Sequence, residues 1–529
     1  MSRIETSGGR GPQPRRGETA GMPGAGAARA VVIGSGFGGL AAAIRLGARG
    51  YRVTVLEKLG QPGGRARVHR QDGFTFDAGP TIITAPFLLE DLWRLCGREL
   101  SDDIELRPTT PFYRIRFDNG EVFDYSGDAQ AMRAEVARFS PDDVEGYGRY
   151  MAASEEIFKV GFEELGHVSF GNWPAMLKVV PDLIRLGCYR SVYAMVSRYI
   201  RDPRLRTVFS FHPLLIGGNP FTTTAIYSLI SFLERRWGVH FVMGGTGALV
   251  AAMVKLIEGQ GGSLRCDAEV GEILIENDRA RGARLVSGEK IAADIVVSNA
   301  DSAWTYRHLL PHARRRRWTD RRIDKSRYSM GLFVWYFGTS RQYPEVKHHT
   351  IVLGPRYRGL LDDIFTHRVL AEDFSLYLHR PTATDPSLAP AGCDAFYVLS
   401  PVPHGGGGID WERRAEPYRR AIMKRLGETV LPELENHLLS SRVSTPDEFE
   451  HELLAYRGAA FGLEPVFTQS AWFRPHNKSE EVEGLYLVGA GTHPGAGVPG
   501  VLSSARVLDV VVPDPDPNRI NTERSHAQS

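Results

Sequence analysis

The stretch Ala30-Val31-Val32-Ile33-Gly34-Ser35-Gly36-Phe37-Gly38-Gly39-Leu40-Ala41-Ala42-Ala43-Ile44 decides the fold of this chain. Its first four residues are apolar and largely β-branched, as a strand buried on both faces requires. Glycines follow at once, then a series of strong helix formers that Gly50 closes. Arg52-Val53-Thr54-Val55-Leu56 reads as a second strand ending at Glu57. Gly34 permits the tight turn, Gly36 keeps a Cβ away from an approaching pyrophosphate, and Gly39 lets the helix pack close on the strand. The helix N-terminus offers unpaired N–H groups and a positive dipole end to phosphates. Glu57 stands 21 residues past Gly36, where an acid accepts hydrogen bonds from ribose hydroxyls. Strand, turn, helix, strand and acid in that order predict a bound dinucleotide with an unphosphorylated adenosine ribose.

Working outward, Gln61-Pro62-Gly63-Gly64-Arg65-Ala66 follows the acid, then Phe74-Thr75-Phe76-Asp77-Ala78-Gly79-Pro80-Thr81. This clustering resembles the flavoprotein superfamily of amine oxidases, protoporphyrinogen oxidases and carotenoid desaturases. The resemblance implies FAD rather than NAD, with Gly64 and Arg65 near the pyrophosphate. Gly244–Leu249 opens a second helix, running through Leu256, and Val270 follows a further short strand. In that superfamily the residue at Val270 meets adenine through its backbone. Asp294–Ala300 reads as a buried strand ending at a polar edge. Near the C-terminus, Gly489-Ala490-Gly491-Thr492-His493-Pro494-Gly495-Ala496-Gly497-Val498-Pro499-Gly500 joins a strand to a helix whose N-terminus can face the flavin carbonyls.

That closing motif and the opening from Val31 to Thr81 resemble the bacterial-type phytoene desaturases, and the likeness extends over residues 29–511. It takes in Phe209–His212, Gly217–Phe221, Phe374–His379 and Gln469–Asn477. It implies an FAD-dependent dehydrogenation of 15-cis-phytoene to neurosporene or lycopene, with quinone or oxygen as electron acceptor. The expected FAD-binding set is Gly34, Gly36, Gly38, Gly39, Glu57, Gly64, Arg65, Gly79, Pro80, Thr81, Val270, Gly489, Gly491 and Val498. Hydride transfer to flavin N5 leaves a cation delocalised over the polyene, and delocalisation lowers the need for a strong base. No Ser/His/Asp or paired-carboxylate spacing stands out, so the flavin carries the chemistry, with His493 as the one side-chain candidate. Sister readings are a C30 desaturase, a hydroxyneurosporene desaturase or a carotene isomerase. A non-catalytic prenyl-lipid carrier on the same fold is the reading of another class, and the intact glycines with Glu57 and Arg65 speak against it.

Composition sets the remaining bounds. The chain has 529 residues, 42% hydrophobic and 24% charged, with Lys+Arg 64 against Asp+Glu 62. A net charge of +2 gives no case for a nucleic-acid partner. Cys96, Cys188, Cys266 and Cys393 show no metal-ligand spacing, so no metal is expected and a reducing, cytoplasmic setting is the simpler one. No run of apolar residues is long enough to span a membrane. A C40 hydrocarbon nevertheless cannot cross water at about 0.8 kcal/mol per buried CH₂, so peripheral contact with a membrane surface is expected. Residues 171–200, with Trp173, Leu177, Val180 and Ile184 beside Lys178, Arg185 and Arg190, suit that contact. The run Arg314–Arg317 reads as a solvated loop, with a second membrane contact as its alternative.

From Val208 to Leu233 there is no Asp, Glu, Lys or Arg. That stretch is expected to wall a substrate tunnel through Phe211, Leu215, Ile216 and Phe221. The expected class is α/β, α+β overall: a Rossmann-like FAD-binding domain (29–100, 241–305, 478–511) and an antiparallel-sheet substrate domain (101–137, 306–477). A helical, membrane-associating lid (138–240) completes an amine oxidase/p-hydroxybenzoate hydroxylase-like flavoprotein fold. Residues 1–28 are expected to be a disordered leader and 512–529 a loose tail.

Overall fold

The computed structural model describes residues 27–166, 180–311, 313 and 315–515. Strand β1 (Arg29–Ile33), helix α1 (Phe37–Ala48) and strand β2 (Arg52–Leu56) form where the opening motif places them. The chain then leaves for nearly two hundred residues and returns as helix α2 (Gly245–Gly259), strand β3 (Ser263–Arg265) and strand β4 (Ile295–Ser298). A second return supplies β5 (Leu485–Leu487) and helix α3 (Val498–Arg506). The five strands make one parallel sheet in the order β5-β4-β1-β2-β3. Val31 pairs in register with Val296 on one side and Thr54 on the other, so β1 is central, and it is apolar and buried from Ala30 to Ile33. Leu40 through Ile44 are wholly buried beneath α2 and α3. Arg45, 3% exposed on the same helix, is neutralised by Asp91 and by Asp509 at 2.6 Å, so the buried cation is not left unpaired.

The second large sheet has seven strands in the order Leu438–Ser444, Gly331–Thr339, Asp394–Val402, Leu376–His379, His349–Val352, Tyr113–Arg116, Val122–Tyr125. It is not purely antiparallel: Tyr113–Arg116 runs parallel to His349–Val352. A parallel neighbour needs a crossover, and the long excursion between residues 126 and 330, through the helical region and back through the parallel sheet, provides one. Gly331–Thr339 is buried at every position. Its alternation explains why: Phe333, Trp335 and Phe337 pack on the helix Trp411–Thr429, whereas Leu332 and Val334 point the other way, into a cavity. A three-stranded antiparallel meander, Val270–Glu276, Arg279–Leu285 and Lys290–Ala292, sits beside the parallel sheet.

Several expectations need correction. The tail is not loose from residue 512, because Val512 is 4% exposed, Arg49 donates to its carbonyl, and Tyr51 donates to the Pro513 carbonyl. Ala28, expected in the leader, is buried. Residues 1–26 and 516–529 lie outside the described residues. Arg315 and Arg317 are not free surface cations: Arg315 pairs with Asp320, and Arg317 pairs with Glu480 over the Trp472 ring. Arg314 lies outside the described residues, as do Trp173, Leu177 and Lys178 of the expected membrane contact. Between 138 and 240 the described residues are mainly helical, including Val144–Phe158, Pro203–Ser210 and Leu229–Trp237. No helix among the described residues is long and apolar enough to cross a membrane.

Candidate active site

One continuous cavity runs from the C-terminal edge of the parallel sheet to the inner face of the seven-stranded sheet. At its first end the backbone turns from β1 into α1. Gly34 takes φ +89, a conformation costly for any side chain. A Cβ on Gly36 would meet only Asn299 Nδ2, at 3.0 Å, and Gly63 O at 3.9 Å, so that face opens to the cavity. α1 has no capping side chain and no acid in its first turn, leaving its first amides for an anion. Ser35 donates to Glu57 from its amide at 2.9 Å and from its hydroxyl at 2.5 Å, and Leu59 N–H donates to the other carboxylate oxygen at 2.9 Å. These bonds fix the carboxylate at the end of β2 with lone pairs still directed into the cavity.

Arg65 lines the same wall beside Asp301, makes no ion pair among the described residues, and keeps a buried Nε without a hydrogen-bond partner. Burial lowers its pKa while the Asp301 charge opposes that shift, and burial likewise raises Asp301 against Arg65. A buried guanidinium with unmet donors suits a phosphate-bearing ligand. Gly79 packs where a Cβ would stand 2.4 Å from Arg65 O, and Pro80 and Thr81 continue the wall. On the far side Gly489, at φ +94, and Val498 at the start of α3 line the cavity, and α3 also begins without a capping side chain. Val270 closes the remote end.

Not every expected residue reaches the cavity. Gly39 stands behind the wall, where a Cβ would sit 2.0 Å from Gly34 O; its task is helix–strand contact. Gly491 is also set back, against Ser302. Phe221 is outside too: the Asn219–Thr222 turn sends its ring against Tyr193, at 4.6 Å, and under the Arg358 guanidinium, also at 4.6 Å. Phe211, Leu215 and Ile216 do line the cavity, joined from the same uncharged stretch by Leu214, Ile226 and Ile230. His493 lines it as well, with Nε2 on the Leu165 carbonyl at 3.0 Å. Burial pushes its pKa down to about 4, so the ring is neutral.

Further side chains complete the site. Asn299, at the end of β4, touches the space above Gly34, Gly36, Gly38, Gly39 and Gly489 together and donates to Gly34 O at 3.4 Å. Asp77 accepts from the Thr246 amide and hydroxyl, both at 2.8 Å, and so anchors α2. Glu234 lines the apolar part of the cavity, wholly buried, and accepts from Tyr113 OH at 2.6 Å with His212 Nε2 at 3.1 Å. The Thr81 hydroxyl meets Tyr397 OH at 2.7 Å, tying the loop after Asp77 to the seven-stranded sheet. The signal for Asn299 and Asp301 was visible as a polar Asn-Ala-Asp after a buried strand; Glu234 lies one residue beyond the uncharged stretch.

A dinucleotide cradle opening into an apolar slot under a separate sheet defines the flavin-dependent oxidoreductases of the amine oxidase fold. The chain matches the flavin containing amine oxidoreductase family over residues 37–507. It is 51% identical over 472 residues to a neurosporene-forming phytoene desaturase of Cereibacter sphaeroides, covering 88% of this chain and 91% of that one. It is 50% identical over 460 residues to a lycopene-forming phytoene desaturase of Pseudescherichia vulneris, covering 87% and 94%. Among solved structures, an oxidoreductase from Methanosarcina mazei superposes with TM-score 0.62 at 19% identity, covering 91% of this chain and 99% of that one. A putrescine oxidase superposes with TM-score 0.62 at 13% identity, covering 94% and 99%. The chain belongs to the phytoene desaturase family of FAD-dependent oxidoreductases.

Proposed function

We propose that this chain is an FAD-dependent phytoene desaturase, converting 15-cis-phytoene stepwise to neurosporene or lycopene. The observation that carries the reading is the continuity of the cavity. Glycine backbone, Glu57 and Arg65 line one end, and an uncharged wall of Phe211, Leu214, Leu215, Ile216, Leu332 and Val334 lines the other. When bound, FAD supplies a hydride acceptor at flavin N5. Gly34, Gly36, Gly38, Gly64 and Arg65 hold its pyrophosphate, Glu57 its adenosine ribose, and Val270 its adenine. Gly79, Pro80, Thr81, Gly489 and Val498 frame the flavin, with Gly39 and Gly491 supporting from behind.

The parallel-sheet part acts as the FAD domain and the seven-stranded part as the substrate domain. The apolar wall excludes water and holds an allylic C–H beside the ring, so positioning supplies most of the catalysis. Glu234, fixed by Tyr113 and His212, sets a carboxyl group beside the slot in which the cation along the polyene develops. Ile184 and Tyr189 are 61% and 55% exposed beside Arg185 and Arg190, which supports this edge of the helical region as the membrane contact. Electrons leave to a quinone or oxygen.

The test is expression with phytoene supplied in liposomes. Purified protein should be yellow, bleach anaerobically on mixing with phytoene, and give a coloured carotene. A yellow protein that never changes the phytoene spectrum would overturn the reading.

A further inference from the structure

The seven-stranded sheet carries a cluster that the reading above leaves unused. His349 lies opposite His379 on neighbouring strands, and His348 precedes the first of them. Their ring centroids are 4.5, 4.8 and 5.3 Å apart, and one nitrogen of each lies within 4.8 Å of the others. His349 and His379 are wholly buried, and His348 is 6% exposed. Nδ1 of His349 meets Tyr377 OH at 2.7 Å, and Tyr377 lines the cavity. Nδ1 of His348 meets Thr384 Oγ1 at 2.7 Å, and Thr384 is half-buried toward the surface. Nε2 of His348 and of His349, and both nitrogens of His379, have no hydrogen-bond partner. Four buried unpaired nitrogens in one place ask for a function.

A metal ion or a proton would each satisfy these atoms. Against the metal, no carboxylate joins the cluster, and the adjacent charge is Arg380, already paired with Asp394 at 2.9 Å. A divalent cation there would be buried without compensating charge. We infer that Tyr377, His349, His379, His348 and Thr384 form a relay that carries protons out of the cavity. This inference rests on the desaturase reading. Each desaturation removes two hydrogens: one leaves with both electrons as hydride to the bound FAD, and the other remains as a proton where no water can take it.

The steps balance as a chain of exchanges. The C–H bond next to the cation breaks, its electron pair becomes the new C=C bond, and its proton passes to Tyr377 Oη as the hydroxyl proton moves to His349 Nδ1. His349 releases a proton from Nε2 to one nitrogen of His379, and His379 releases one from its other nitrogen to His348 Nε2. His348 passes its Nδ1 proton to Thr384 Oγ1, whose own proton goes to solvent. Ring rotation about a soft terminal torsion, or a bridging water, closes the imidazole gaps. Burial, with the neighbouring imidazoles and Arg380, holds all three rings well below the ordinary histidine range, His348 at about 3, so the relay passes a proton without retaining it.

The experiment is an anaerobic single turnover of the FAD-loaded protein with phytoene in liposomes, in weak buffer with a pH-indicating dye. In the wild type, dye response and flavin bleaching should coincide. In His379→Phe, bleaching should persist while proton release lags at least tenfold. Tyr377→Phe and Thr384→Val interrupt the path at its two ends with little change of volume, and each should lag likewise. Their FAD absorbance reports folding independently. Synchronous release in FAD-loaded Tyr377→Phe and Thr384→Val overturns the relay alone. So does a stoichiometric metal in the wild type that disappears in His379→Phe. A wild type that never bleaches overturns the desaturase reading, and the relay with it.

Discussion

The two ends of the cavity are built by opposite means. At the cradle, the chain withholds side chains: a Cβ on Gly38 would lie 2.6 Å from Asn299 Oδ1 and 3.0 Å from the Gly489 backbone. At the apolar slot, side chains make the surface, and the period of two along Gly331–Thr339 assigns Leu332 and Val334 to it. The cradle therefore tolerates almost nothing, because backbone contacts cannot relax past one another. The slot changes by degrees, since neighbouring side chains can repack.

The sharpest break of this contrast is Gly39→Ala, whose Cβ would sit 2.0 Å from Gly34 O. Complete loss of FAD from the purified protein is expected by absorbance, and normal flavin content would refute the assigned packing. Next comes Glu57→Arg, which sets a cation where ribose hydroxyls need an acceptor. FAD affinity should fall at least a hundredfold by fluorescence titration, with the fold intact by circular dichroism. In the slot, Leu215→Asp should keep FAD and cut carotene formation tenfold or more, because an unpaired carboxylate in an apolar wall costs several kcal/mol. Phe221→Ala lies outside the cavity, so turnover should change less than twofold while stability to urea falls by about 2 kcal/mol.

The smallest expected effect is one of pH. Burial raises the Asp77 pKa to about 6, against the bonds from Thr246. A carboxyl raised on folding stabilises while protonated, so its contribution is full below about 4 and declines as pH rises to about 6. Asp77→Asn should flatten the melting temperature over that window.

The same contrast explains how much could be read from the sequence. The cradle was legible because its rules are local: β1, α1, β2 and Glu57 follow one another, and each glycine has one reason to be there. The closing motif was legible for the same reason. What escaped depends on distant pairing. Phe221 belongs to an uncharged stretch yet turns outward, since hydrophobicity does not say which side of a turn a ring takes. Asn299 meets five glycines from two distant segments, and Glu234 is tolerated in an apolar wall because His212 and Tyr113, the latter 121 residues away in sequence, touch it in space. His348, His349 and His379 gather only once their two strands pair in register.

The order of the parallel sheet has a consequence for biosynthesis. β1 is made first, but its neighbour β4 follows some 265 residues later, and β5 and α3 come near the very end. A ribosome-bound chain stopped before Leu485 thus displays the glycine turn without the Gly489 segment that backs it. The parallel layer is therefore closed by pairings of high sequence separation, the slowest kind to form, and the nucleotide cradle is complete only after the most distant of them has formed.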